Sequence, residues 1–294
     1  MNGKQMLSEL IKLFIAINII LFIINYAFRG NQYVISQDRV KNITSLLQKQ
    51  GIHIETELIR NFAPKSSGNL VFVGSGIAVR DEIGKKFFEG NWANVKRSTM
   101  PSENNPGNTI TYYTLGDETI SFDCNELNYT NSKVRSNGKR PPLDKAKSMC
   151  MKLINRIGSK WSECKYYIVG EAHQDFWRMI YYPMLEGMPV MDSYLEFYVS
   201  SEGVVKGHMY LADIQLESER KKNIYAADLV LFGIEDYIIE NGYSEIEKVT
   251  MCYKQEDNEE NILGQKIIPA YKIEIKGLEE PLFVNAYTNK LISG

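Results

Sequence analysis

The stretch YLEFYVSSEGVVKGHMY, residues 194–210, decides the fold. Leu195, Phe197 and Val199 alternate with Tyr194, Glu196 and Tyr198, the period of a strand that buries one face. Ser201-Glu202-Gly203 interrupts the pattern and a second run, Val204 to Ile214, follows, so Ser193 to Ile214 is a hairpin. Working outward, Tyr166 to Ala172 and Phe176 to Met184 are further strands. Before them, Asp144 to Lys160 carries Ala146, Met149, Cys150, Leu153, Ile154 and Ile157 at spacings of three and four, an amphipathic helix with Gly158 near its end. The plan repeats downstream. Ala227, Leu231, Ile234, Ile238 and Ile239 predict a helix over Ile224 to Asn241 with Gly242 at its stop, followed by strands Ile246 to Lys254, Gln265 to Lys276 and Pro281 to Ser293. Two helix-then-antiparallel-strand units, 143–219 and 220–294, define an α+β fold in which each helix covers the apolar face of its sheet.

The preceding region, 29–142, is more broken. Ser36 and Asp38 offer N-cap chemistry to a helix over Arg39 to Lys49, which Gly51 ends. Alternation over Ile52 to Ile59 predicts a strand. Leu70 to Val73 and Ile77 to Val79 are expected as strands around a Gly74-Ser75-Gly76 turn, and Thr109 to Leu115 pairs with Glu118 to Asn125 across Gly116-Asp117. Pro101 to Asn108 and Asn131 to Pro142 are polar linkers.

Leu10 to Phe28, LIKLFIAINIILFIINYAF, is the segment that departs from globular composition. As a helix it is about 28 Å long, close to a hydrocarbon thickness of about 30 Å. No small-x-small site follows it, so the expectation is an uncleaved anchor at 10–28. A buried core helix is the other reading of the same run. Lys4 and Lys12, with the chain amine, place residues 1–9 in the cytoplasm and 29–294 outside the cell. Asn18 and Asn25, seven residues apart, project from nearly one face. Asn18 lies about 9 Å beyond Lys12, where an amide seeks a partner, whereas Asn25 is within reach of interfacial water near Arg29. Both are candidate helix–helix contacts in the membrane.

Charge and motif content exclude several classes of function. Lys plus Arg number 34 and Asp plus Glu 36, so no strong positive field is available for nucleic acid. Gly74-Ser75-Gly76 lacks the third glycine of a dinucleotide fingerprint, and Ser75 is not in a nucleophile elbow. His53, His173 and His208 have no second ligand at metal spacing. Cys124, Cys150, Cys164 and Cys252 match no redox or metal motif and are expected as unbridged core thiols. Glu256-Asp257-Asn258-Glu259-Glu260 lacks the pattern of a calcium loop. Arg220-Lys221-Lys222 could touch anionic lipid or a partner, but is expected as a linker. No catalytic, cofactor or metal site is expected; the chain is expected to act by contact.

Two stretches resemble a known family. The opening Leu13-Phe14-Ile15-Ala16-Ile17-Asn18-Ile19-Ile20-Leu21-Phe22 after basic residues, and the close Ile268-Pro269-Ala270-Tyr271-Lys272-Ile273 through Phe283-Val284-Asn285-Ala286-Tyr287-Thr288-Asn289-Lys290-Leu291-Ile292, are similar to YycI, a family of membrane-anchored regulators. The close also resembles a PepSY-type strand pair, with Asn289 where Gly commonly follows Thr; Asn tolerates the same left-handed turn. The resemblance implies a non-enzymatic regulator that works with a YycH-like protein on a WalK (YycG) sensor histidine kinase, and so on cell-wall metabolism, through transmembrane and extracellular contacts. An anchored PepSY-like inhibitor of an extracellular hydrolase and a cell-envelope enzyme are the alternatives.

Overall fold

The computed structural model describes residues 11–22, 35–72, 76–102, 107–135, 139–210, 212–217, 220–256 and 265–292. Among them are seven helices and two sheets, a mixed α+β architecture. The helices are α1 (11–22), α2 (Gln37–Lys49), α3 (Ile77–Phe87), α4 (Leu143–Ile157), α5 (Ser159–Ser162), α6 (Ala227–Gly233) and α7 (Glu235–Glu240). By internal contacts the chain forms two compact units: Met1–Pro64 with Lys222–Val249 and Ile273–Leu291, and Lys65–Lys221 with Thr250–Lys272 and Ile292–Gly294.

The second unit holds an antiparallel nine-stranded sheet. Its strands are β3 (Lys96–Pro101), β4 (Thr109–Leu115), β5 (Glu118–Asp123), β6 (Glu126–Asn131), β7 (Tyr166–Ala172), β8 (Trp177–Leu185), β9 (Met188–Pro189), β10 (Leu195–Ser200) and β11 (Gly203–Tyr210). They run in the order β3-β4-β5-β6-β11-β10-β8-β7, with β9 beside β8. The expected hairpin is the β10–β11 pair, with Ser200 opposite Gly203. The stripe of α4 lies on this sheet: Ala146, Cys150, Leu153, Ile154 and Ile157 share one buried core with Tyr113, Phe122, Tyr181 and Phe197.

The other sheet has the order β1 (His53–Ile54), β13 (Glu245–Gln255), β14 (Gln265–Ile275), β15 (Leu282–Asn285) and β16 (Lys290–Leu291). Beside β14 runs β2 (Gly68–Phe72), which also pairs with β12 (Ala212–Leu216). In the first unit β1 pairs parallel with β13 through Ile54 and Ile246. The buried residues of that unit include Ile43 and Leu47 of α2, Leu231 of α6, Ile238 of α7, Val249, Ile273 and Val284.

Several expectations change. The run Val204 to Ile214 divides into β11 and β12, which belong to different sheets, and the strand expected over Pro281 to Ser293 becomes the two short strands β15 and β16. Ile77 to Val79 is not a strand but the start of α3, with Gly76 as its N-cap residue. Its buried stripe is Arg80, Ile83, Gly84 and Phe87, two of which carry no apolar signature. Arg80 is buried because its guanidinium donates to Cys124 O at 3.2 Å and Thr111 Oγ1 at 3.4 Å, and Gly84 because a Cβ there would meet the Trp92 ring at 3.1 Å. Ile52 to Ile59 forms only the two-residue β1, because a 3-10 turn at Thr56–Leu58 ends it. The helix expected over Ile224 to Asn241 begins at Ala227 and breaks at Ile234 (φ −108°, ψ 2°), directly after Gly233, the residue that least supports a helix after proline. Finally, the strand expected over Glu118 to Asn125 stops at Asp123; Cys124 takes φ 51°, and a new strand, β6, follows. The 10–28 run is described only over 11–22, where it is helical and exposed at every position; its remaining residues lie outside the described ones. Among the described residues no helix is long and apolar enough to cross a membrane.

The last turn of α4 is tied to the sheet by charge. Arg156 grips Glu118 with both arms, at 2.8 and 2.9 Å, while Tyr129 OH donates to the same carboxylate at 2.8 Å. The guanidinium also lies 4.0 Å over the Phe87 ring. The Arg156 hydrogen bonds hold the Glu118 carboxyl below its ordinary 4.5, against the upward push of burial. A lowered carboxylate stabilises the fold above its unfolded value and stops doing so as pH falls through its folded value. The wild type is therefore expected to lose more stability than Glu118→Gln when acidified below about pH 4.5, as read by urea midpoints; parallel curves would contradict the assignment.

Candidate functional site

The first unit carries a groove of about 280 Å³ at the start of α2. Ile35, Phe62, Ile224, Leu229 and Tyr287 give it an apolar floor, and Arg39, Arg60, Asn61 and Asn223 line it as well. Local chemistry sets each wall. The Ser36 hydroxyl caps α2 by accepting Arg39 N–H at 3.3 Å, and Ile35 N–H donates to Asn61 Oδ1, which draws the 60–62 segment against the helix start. Arg39 then reaches Asp228 on α6 as a two-armed pair, Nε to Oδ2 and Nη2 to Oδ1, both at 2.8 Å. The Asp228 side chain is 9% exposed and that of Arg39 42%, so this pair fixes α2 to α6 from a partly dry position.

Tyr287 is brought to the groove by a turn. Asn285 is buried; its Oδ1 accepts Tyr287 N–H at 2.8 Å and Thr288 N–H at 3.2 Å, while its carbonyl accepts Asn289 N–H at 2.9 Å. Asn289 adopts φ 55°, the left-handed position foreseen for it. Its Nδ2 donates to Leu229 O at 3.2 Å and leaves no room for a side chain on Gly233, where a Cβ would stand 2.7 Å away. Tyr225 N–H donates to Ala286 O at 2.8 Å, which lays residues 223–226 on the same turn. Lys222 sits 5.6 Å over the Tyr287 ring.

Of the groove's lining residues Tyr225 and Leu229 are exposed, and Phe232, further along α6, is exposed at 57%. Leu229 and Phe232 lie three apart on α6, an exposed apolar pair away from its buried Ala227, Val230 and Leu231, and Tyr225 precedes the helix. That spacing is the signal in the sequence that the reading by core positions passed over. Arg60, whose Nε donates only locally to Glu57 O at 3.0 Å, adds positive charge beside these apolar groups. Arginines, amides and tyrosines around an apolar floor can hold a polypeptide segment or another amphipathic surface by packing and directed hydrogen bonds.

The residues singled out in the sequence are not gathered here. Asn18 is exposed on α1, and its Nδ2 donates to Phe14 O at 2.9 Å, so part of its amide is already satisfied within the helix. Asn25 lies outside the described residues. His53 stands on β1, His173 stacks on Phe176 at 4.5 Å, and His208 bonds Asn128 Oδ1 at 2.7 Å. The four cysteines are unbridged. Cys150 and Cys252 are core thiols, pushed up to about 12 by burial, but Cys164 is exposed and Cys124 half-buried, which corrects the expectation for those two. Glu256 pairs with Lys266 at 2.7 Å, and residues 257–260 lie outside the described ones. Lys221 lies 3.7 Å from Glu186. Among the described residues no group of three His, Cys, Asp or Glu is placed to hold a metal ion.

No family model and no curated protein matches this chain. Solved structures do. An uncharacterized protein from Eubacterium rectale ATCC 33656 aligns at TM-score 0.53 and 11% identity, over 79% of this chain and 86% of that one. The Bacillus megaterium YpeB C-terminal domain aligns at TM-score 0.40 and 11% identity, over 74% and 96% respectively. The first likeness is one of fold alone, and the second is too weak to carry an argument.

Two substitutions test the groove's construction. Arg39→Ala strands a nearly buried carboxylate and is expected to destabilise the first unit by about 1–3 kcal/mol. Gly233→Ala forces Asn289 out of its place and is expected to cost about 1–3 kcal/mol. Denaturant melts followed by a probe within the first unit would read both; a shift under about 0.5 kcal/mol would contradict the wall assignments.

Proposed function

We propose that this protein is a membrane-anchored regulator that acts by contact on a WalK-type sensor histidine kinase, together with a YycH-like partner, and so on cell-wall metabolism. The anchor part of this reading rests on one observation: every described position of α1 is exposed, including Ile11, Phe14, Ile17, Ile20 and Phe22. A helix so apolar on all sides needs a cover, and lipid with neighbouring helices supplies one. In this reading residues 1–9 are cytoplasmic, 10–28 span the membrane and the remainder lies outside the cell. The kinase and the YycH-like protein as targets come from the resemblance of the two chain ends. The turn through Asn289, in the conformation a PepSY-type pair needs at that position, supports the local part of that resemblance. The groove beside Arg39 and the exposed Tyr225, Leu229 and Phe232 offer the extracellular contact.

Asn18 and Asn25 are the membrane contact residues in this proposal. An interhelical amide bond contributes about 0.6 to 2 kcal/mol, so losing it lowers association about 3- to 30-fold. In cells carrying the kinase, Asn18→Leu is expected to reduce crosslinking of α1 to the kinase or YycH-like helices by that factor, and Asn25→Leu by less. Unchanged crosslinking and kinase output in the double variant would overturn the membrane contact. A bound extracellular hydrolase recovered in place of the kinase would instead favour the PepSY-like inhibitor.

A further inference from the structure

The nine-stranded sheet ends in two edges of opposite character. At one end β3 reads Lys-Arg-Ser-Thr-Met-Pro, with two cations and a proline, the residues that keep a sheet edge from pairing with another chain. At the other end β7 reads Tyr-Tyr-Ile-Val-Gly-Glu-Ala, seven residues with one charge and no proline. Among the described residues β7 pairs with β8 alone. Tyr167 is 40% exposed and Ile168 39%.

The ladder fixes which groups face outward. Met184 N–H donates to Lys165 O, and His173 N–H to Phe176 O, each at 3.0 Å. Residues 165, 167, 169, 171 and 173 therefore turn their N–H and C=O toward β8. Pro183, opposite Tyr166, has no N–H to give, as this phase allows. The backbone groups of Tyr166, Ile168, Gly170 and Ala172 consequently point to the open edge.

We infer that β7 is a strand-addition edge for a second copy of this chain, joined antiparallel about a two-fold axis at Ile168. The sequence is self-complementary in that register. Ile168 meets its own counterpart through outward-facing groups, and Tyr166 lies opposite Gly170 of the second copy, which has no side chain of its own to obstruct the approach of the two strands. Tyr167 lies opposite Val169, an aromatic with a β-branched residue. Lys165, whose side chain is exposed and has no partner among the described residues, lies opposite Glu171. Glu171 already holds Arg178 at 2.9 Å and remains 44% exposed, so it can take a second cation. A two-fold axis is the commonest way for identical chains to close an assembly, and it leaves neither copy with an open β7 edge. The inference concerns the second unit alone and stands whether or not the kinase is the target.

Crosslinking of the full chain in membranes tests it. In a Cys164→Ser background, Ile168→Cys places two thiols on a hydrogen-bonded antiparallel pair with Cα atoms about 5.5 Å apart, within disulfide reach. Mild oxidation is expected to give a disulfide-linked dimer at least about five-fold more abundant than Met100→Cys gives on the β3 edge. Adding Lys165→Glu, a surface change, should lower the yield at least about three-fold, and Glu171→Lys on top of it should restore part of the loss. Ile168→Pro removes an N–H that the fold itself does not use, so it should keep the circular dichroism of the wild type while abolishing the dimer seen by amine crosslinking. Equal yields at the two edges, no response to Lys165→Glu, or capture of a different protein by Ile168→Cys with no self-linked product would each overturn the inference.

Discussion

An alternating strand buries one face and wets the other, so a sheet made of such strands is stable only where something apolar lies along it. In the second unit that cover is α4. Its Ala146, Cys150, Leu153, Ile154 and Ile157 are all buried, and the large residues beneath them, Tyr181, Phe197 and Tyr113, have no measurable exposure. Removing such a helix would expose enough ring and aliphatic surface to exceed the few kcal/mol by which domains are stable. The Arg156–Glu118 pair at the last turn then sets where along the sheet the helix stops. A helix that covers the middle of a sheet leaves its edges to their own side chains, and here they differ: cations and proline on β3, and on β7 a proline-free run with a single charge.

The first unit meets the same constraint with shorter pieces. Two short helices, α6 and α7, replace one long helix, with the break at Ile234 directly after Gly233, against which the Asn289 side chain lies. The buried Asp228 would be a liability on α6 without Arg39, and with it becomes the tie that holds the groove wall. The groove is thus built from interactions that join distant parts of the chain, while its mouth is left to exposed apolar groups and Arg60. Such a surface suits recognition of another chain more than turnover of a small molecule.

Much of this was legible in the sequence because it is periodic. The β10–β11 hairpin, α4, β7 and β14 all follow from spacing, and the left-handed turn at Asn289 follows from residue type. What escaped was set by partners far along the chain. The stripe of α3 includes Arg80 and Gly84, which look polar and helix-breaking until Cys124, Thr111 and Trp92 arrive. Arg39 and Asp228 are 189 positions apart, and nothing local marks either as half of a pair. The strand β6 was hidden behind Cys124, since a non-glycine residue at φ 51° gives no warning in composition. The exposed Leu229 and Phe232 were passed over for a different reason: α6 carries apolar residues outside its buried stripe, and a reading by core positions takes only the buried ones.

The central proposal is that this chain changes the behaviour of a sensor kinase by binding it. The direct measurement is autophosphorylation of a WalK-type kinase in lipid vesicles as the full chain is titrated in, with and without a YycH-like protein. The account expects a saturable change in the rate that disappears when the exposed Phe232 and Arg60 are replaced by Ser and Glu. A rate that stays constant to saturation, under conditions where both proteins are folded and inserted, would contradict it.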